Sequence, residues 1–269
     1  MSFIELDTER CVQCELCVKA CPVGALGLGE SGPEVVLEGV CNKCGHCVAV
    51  CPKDALNNRY ASLISQKHID TYPVLDAETA EIFLRSRRSI RYYKKRAASR
   101  EQLLQLVNIA RFAPTASNSQ SVSYYIVEDR SVLDELAELV VEWMKMQIAT
   151  GEYHHSFPVH IDAWKNGKDT IFRGAPHLVV AAAPKELKNR RDNTVFSLAY
   201  LELYAGSVGL GSCWAGLFEM FASANDEYVS KRIGIKPGLM LTGAVMVGVP
   251  VERYLKLVNR DPLDVTWVD

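Results

Sequence analysis

The sequence predicts an α+β protein in two domains, a short cysteine-rich one and a larger one in which helices and strands alternate. Three observations carry this. Eight of the nine cysteines lie before residue 52, and only Cys213 lies after it. Near Thr79 the pattern changes from short irregular runs to helical and strand periodicities. The chain has 269 residues, 48% of them apolar, enough to bury two modest cores.

The cysteines form two runs. Cys11, Cys14, Cys17 and Cys21 precede Pro22, and Cys41, Cys44, Cys47 and Cys51 precede Pro52. Both have the spacing C-x2-C-x2-C-x3-C-P, and each member of the second run stands 30 positions after its counterpart. The register continues into Ala25-Leu26 and Ala55-Leu56. This is an internal duplication, and a duplicated ligand set implies two equivalent metal sites. Three thiolates two residues apart can wrap one corner of an iron–sulfur cube, but a short loop cannot supply the fourth. In two-cluster proteins with this spacing the fourth cysteine serves the other cluster. Cys11, Cys14, Cys17 and Cys51 are therefore assigned to one 4Fe–4S cluster, and Cys41, Cys44, Cys47 and Cys21 to the other. Zinc is the alternative, but it typically takes two separated C-x2-C pairs rather than a doubled four-cysteine run ending in proline. Residues 1–58 resemble bacterial two-cluster ferredoxins along their whole length. His46, between two ligands, is expected at the surface.

Residues 59–78 show no clear periodicity and are expected to form a linker to a second domain at 79–269. There, Thr79 is a candidate N-cap for a helix through AEIFLRSR, and Ser99 for one through REQLLQLVNIARF. SYYIVED (123–129), HLVVAAAP (177–184) and LMLTGAVMVGVP (239–250) read as strands. Residues 131–149 and 193–209 read as helices. The stripe Leu133, Leu136, Ala137, Val140, Trp143 and Met144 is expected to be core or a dimer interface.

Totals exclude some functions. A net charge of −2 and a pI near 6.3 argue against a nucleic-acid binder. No apolar run is long enough to span a membrane. The N-terminus carries acids where a signal peptide needs a basic and then an apolar stretch. A cytoplasmic protein is expected, and in that compartment clustered thiols bind metal rather than pair as disulfides. No G-x-G-x-x-G links a strand to a helix, so a Rossmann nicotinamide site is not supported.

Four motifs of the larger domain occur in order. RSRRSIRYYKKR contains Arg87, Arg88, Ser89 and Arg91. APTASNSQ contains Pro114, Thr115, Ser117, Asn118 and Gln120. The glycine-rich GLGSCWAGLF contains Trp214, Ala215, Gly216 and Leu217. A strand ending in GVP is followed by Arg253 and Arg260. Together, residues 79–269 resemble the nitroreductase family of FMN flavoproteins. The resemblance implies an α+β sandwich with a mostly antiparallel sheet, a homodimer, and bound FMN. Arg87, Arg88, Ser89, Arg91 and Arg260 would contact its phosphate or ribityl chain, arginine being suited to bidentate phosphate contacts. Pro114, Thr115, Ser117, Asn118 and Gln120 would line the flavin, and amides around Trp214, Ala215, Gly216 and Leu217 would face N5. Two departures bear on substrate. Ser121 and Val122 stand where many relatives have Pro and an aromatic, and Trp214-Ala215-Gly216 stands where many carry an acid.

The function expected is an oxidoreductase. Electrons would enter from a reduced ferredoxin or another donor at the clusters, pass to FMN and leave to an electron-poor small molecule such as a nitroaromatic or quinone. No catalytic side chain is assigned, because the flavin does the chemistry. Alternatives are an electron-transfer adaptor that relays electrons to a partner protein, and a dehydrogenase or dehalogenase on the same fold. Cys213 is expected to be a buried small hydrophobe. Tyr153-His154-His155, with His160 and Trp164, is expected to be a surface segment or a cover over the site.

Overall fold

The computed structural model describes residues 2–69, 74–151 and 153–268. The chain divides into two compact units. One runs to Val74 and takes in Ser117–Ser119; the other comprises the remainder from Leu75. Residues 70–73 of the expected linker lie outside the described residues, and within its first part Leu63–Ser65 form a 3-10 turn.

The first unit repeats one pattern twice. Strand β1 (Ile4–Leu6) is followed by a single-turn helix α1 (Leu16–Lys19) and the hairpin of β2 (Leu26–Gly29) and β3 (Gly32–Val35). A second single-turn helix α2 (His46–Ala49) leads to β4 (Leu56–Asn58), which returns to pair antiparallel with β1. The duplication extends to the backbone. Gln13 (φ 51°) and Lys43 (φ 56°) are both left-handed, and so are Glu15 (φ 63°) and Gly45 (φ 75°), just before α1 and α2. Phe3, Ile4, Ala25, Leu26, Val48 and Leu56 form a small apolar core. A core of that size gives a short domain little stability on its own, so a staple such as bound metal fits its design.

The second unit contains α3 (Ala77–Ser86), α4 (Arg100–Ala110), β5 (Ser123–Val127), α5 (Arg130–Thr150), α6 (Phe157–Lys165), β6 (His177–Pro184), α7 (Arg190–Ala205), β7 (Gly211–Trp214), α8 (Gly216–Ala224), α9 (Asp226–Ile233) and β8 (Leu239–Gly248). Its sheet runs β5-β6-β8-β7, antiparallel throughout. The central strand β6 is buried along almost its whole length. Its side chains feed two cores. Leu178, Val180 and Ala182 pack with α5, α6 and α8 on one face. Val179 and Ala181 pack with Leu103 and Leu106 of α4 and Leu198 and Leu201 of α7 on the other. Covered on both faces, the strand has no polar side to alternate. The result is an α+β sandwich.

Four details explain how these residues make these elements. Ser99 caps α4 with a full capping box, its hydroxyl accepting from Gln102 N while the Gln102 side chain accepts from Ser99 N. Helix α3 starts earlier than expected. Asp76, not Thr79, is its cap, and the Asp76 carboxylate accepts from both the backbone and the hydroxyl of Thr79. The α5 stripe of Leu133, Leu136, Ala137, Val140, Trp143 and Met144 is core, packed on the sheet. Gly243 of β8 lets α7 approach closely: a Cβ there would lie 2.7 Å from Thr194 and 2.8 Å from Leu198.

Candidate functional site

The first unit brings its cysteines together across the repeat. One cavity is lined by Cys11, Cys14, Cys17 and Cys51, and a second by Cys21, Cys41, Cys44 and Cys47. The fourth cysteine of each run thus faces the first three of the other. None of the eight is paired in a disulfide. Backbone amides point at the sulfurs in matched fashion: Ala25 N lies 3.2 Å from Cys21 Sγ, and Ala55 N lies 3.3 Å from Cys51 Sγ. Four soft sulfur donors lining one small cavity are the chemistry an iron–sulfur cluster takes. His46 is exposed, as expected.

In the second unit the basic motif leaves α3 and meets the glycine-rich turn. Ser89 forms an isolated parallel bridge with Ser212 of β7, and Ile90 N donates to Ser212 O at 2.9 Å. The approach is tight, because a Cβ on Gly211 would fall 2.5 Å from Ile90. Beside this junction lies a cavity of about 500 Å³ lined by Arg87, Arg88, Glu202, Ser212, Arg253 and Tyr254, among others. Arg88 Nε is buried there without a hydrogen-bond partner, and its guanidinium lies 5.6 Å from the Tyr254 ring centre. A buried, unsatisfied guanidinium N–H is costly, and an anionic ligand would satisfy it. Arg87 sits 3.8 Å from Glu202, whose carboxylate also accepts from Ser212 Oγ at 3.1 Å. Burial pushes the Glu202 carboxyl above the usual carboxylate range, against the opposing effects of Arg87 and Ser212.

The remaining predicted residues spread over other features. Thr115 and Gln120 line a separate cavity of about 310 Å³ with Tyr124 and Ser197, and Thr115 Oγ1 accepts from Gln120 N. Ser117, Asn118 and Gln120 all hold positive φ, at 51°, 52° and 46°. Left-handed backbone is uncommon outside glycine, and a run of it marks a loop whose shape is held against its local preference. Pro114 is exposed before this loop. Gly216 opens α8 and lines a third cavity, about 570 Å³, with Trp143, Tyr153, His154, Phe157 and Glu219. The amides of Gly216 and Leu217 lie in the first turn of α8, where a helix supplies no acceptors of its own. Ala215 differs: its N–H donates to Ala244 O at 2.9 Å and is already used. Trp214 lies 5.0 Å below the Arg191 guanidinium.

Two features were not picked out from sequence. Glu202 sits within the apolar run of α7, where a single acid is the available signal of a buried carboxylate. Tyr254 gives no such signal. Of the two C-terminal arginines, Arg253 lines the 500 Å³ cavity, whereas Arg260 is exposed and is not among its lining residues. Cys213 is 5% exposed, and burial pushes its thiol up, so it is a small buried hydrophobe in this fold.

The model of the nitroreductase family matches residues 84–249. The chain belongs to the nitroreductase family. A second family model, the 4Fe-4S dicluster domain, matches residues 3–53, so this nitroreductase carries a ferredoxin-type domain at its N-terminal end. A ferredoxin of Pyrobaculum islandicum is 39% identical over 54 residues, 20% of this chain and 50% of that protein. One chain of the NADH-quinone oxidoreductase of Rhizobium meliloti is 41% identical over 63 residues, 20% of this chain and 7% of that protein. The chain therefore spans half or less of these relatives. A nitroreductase from Desulfitobacterium hafniense, solved with bound FMN, aligns with 72% of this chain and 100% of its own at a TM-score of 0.60 and 19% identity, which shows a shared fold.

Proposed function

We propose that this nitroreductase is an iron–sulfur flavoenzyme: two 4Fe–4S clusters in the first unit pass electrons to FMN in the second, which reduces an electron-poor small molecule. The observation that carries the proposal is the co-occurrence in one chain of two four-cysteine cavities and a cavity lined by arginines with an unsatisfied Arg88 Nε. The first are suited to single-electron carriers and the second to a phosphate-bearing cofactor. When bound, the clusters supply one-electron transfer and FMN supplies the change to two-electron delivery.

The chain's own residues bind and orient. Cys11, Cys14, Cys17 and Cys51 hold one cluster, and Cys21, Cys41, Cys44 and Cys47 the other. Arg87, Arg88 and Arg253 hold the phosphate, with Glu202 keeping Arg87 in place through their 3.8 Å contact. Ser89, Arg91, Pro114, Thr115 and Gln120 would border the ribityl chain and ring, and the amides of Gly216 and Leu217 would face the ring's reactive edge. Tyr153 and His154 lie beside Gly216, where an acceptor would approach. A homodimer is supported by the C-terminal segment, in which Leu255, Leu263 and Trp267 are 86–87% exposed. Such apolar exposure asks for a covering partner.

The test is anaerobic turnover of the iron- and FMN-loaded protein with dithionite-reduced ferredoxin and a panel of nitroaromatic and quinone acceptors. Acceptor-dependent oxidation of the reduced ferredoxin supports the proposal. Reduced protein that no acceptor in the panel reoxidises faster than buffer does would reject it and favour a relay to a protein partner.

A further inference from the structure

The two halves of the first unit repeat in spacing and backbone conformation, and the Ala25 and Ala55 amides meet Cys21 and Cys51 alike; the second half adds a backbone bond from Lys43 N to Cys41 Sγ at 3.4 Å and one side-chain bond. Asn58, at the end of β4, is 1% exposed. Its Nδ2 donates to Cys47 Sγ at 3.7 Å. Its Oδ1 accepts from Tyr60 N at 2.9 Å, which fixes the amide so that the NH2 end faces the sulfur. Pairing of Asn58 with Ile4 across β1 and β4 holds the backbone beneath it. Thirty positions earlier in the duplication stands Leu28, in the half that carries the equivalent Cys17. Leu28 is a hydrocarbon that is 45% exposed, and it can donate nothing.

A hydrogen bond to a cluster thiolate stabilises the more negative, reduced state. Such bonds are one of the levers that set cluster potential, with solvent exposure another. The surroundings differ in the same place. Cys47 is buried whereas its counterpart Cys17 is half-buried, and Leu63 packs on the apolar core that includes Cys47, its N–H donating to Asn57 Oδ1 at 3.0 Å. Burial excludes water and opposes reduction; the Asn58 bond favours it. Only the bond belongs to a single replaceable side chain.

We infer that Asn58 makes the two clusters inequivalent, raising the potential of the one held by Cys47 through its Nδ2–Sγ hydrogen bond. This rests on the proposed cluster ligands, although Cys47 belongs to the same cluster whichever run supplies the fourth cysteine. Each cluster takes one electron on reduction, so the Asn58 bond draws a single electron entering the module toward the cluster that Cys47 holds. Asn58 is a positioning residue for charge, not a catalytic one.

The experiment is an EPR-monitored redox titration of the full-length, iron-loaded protein with dithionite, comparing the native chain with Asn58→Leu and Asn58→Asp. The first substitution copies Leu28. The second keeps the shape and the acceptor for Tyr60 while replacing the NH2 donor, so it reports even if the first packs poorly. The expected result is that one midpoint falls and the other stays. The fall corresponds to about a tenfold change in the oxidised-to-reduced ratio, about 59 mV for one electron, for Asn58→Leu. It is larger for Asn58→Asp, which places an acidic group against the sulfur. A purely structural role would change iron content without this order. Midpoints that stay put in both variants, or that move together, overturn the inference. Native protein that binds no iron–sulfur cluster overturns the proposed function beneath it instead.

Discussion

Arg88 and Glu202 face the same cavity with opposite needs. The Arg88 Nε is buried and unsatisfied, so its replacement removes a donor that only the ligand answers. Arg88→Ala is expected to weaken FMN binding by roughly 10- to 100-fold, since a charged hydrogen bond contributes about 1.5–3 kcal/mol. Fluorescence quenching on titration with FMN reads this directly, and an unchanged affinity would remove Arg88 from the site. Glu202 is held above the usual carboxylate range by burial. The folded state thus keeps this proton more tightly than the unfolded chain, whose glutamates titrate near about 4.3. Stability contributed by the neutral form is lost as pH rises from that value through the raised one. Glu202→Gln removes the loss, so melting temperatures of apo-protein should move in the variant's favour across this window. Parallel profiles would mean the carboxyl titrates normally.

Elements show how much of this was legible. Gly243 marks where α7 settles on β8, and a Cβ there has no room. Gly243→Ala is expected to destabilise by about 1–3 kcal/mol, read from the denaturant midpoint, as overpacking of a tight core does. A neutral result would mean α7 can lift off the sheet freely. Strand β6 matched its expected span because a strand covered on both faces is a continuous apolar run. Helix α4 was legible from its cap, since Ser99 and Gln102 satisfy each other within one turn. Helix α3 began at Asp76 because Asp76 and Thr79 are both good caps and only geometry shows which is acceptor and which donor. The pairing of Ser89 with Ser212, and the choice of Arg253 over Arg260 at the cavity, depend on contacts between distant parts of the chain. No local pattern encodes them. Asn58 escaped notice for a related reason: its role appears only when its sulfur partner is seen.

Across the whole molecule, the cysteine repeat and the nitroreductase motifs lie in separate stretches of one chain, and no described helix is long and apolar enough to cross a membrane. Removing residues 255–269, where Leu255, Leu263 and Trp267 are exposed, is expected to shift a dimer toward monomer in sedimentation analysis. A truncated chain that dimerises as tightly as the intact one would place the interface elsewhere. The central claim is that the clusters are the way in for electrons. Its most direct test is anaerobic stopped-flow reduction of the flavin, comparing the intact protein with Cys14→Ser/Cys44→Ser, which strips a ligand from each cluster. Fast flavin reduction by reduced ferredoxin in the intact protein, lost in the double variant, is the predicted result. Flavin reduction by NADH in the double variant as fast as any in the intact protein would contradict it.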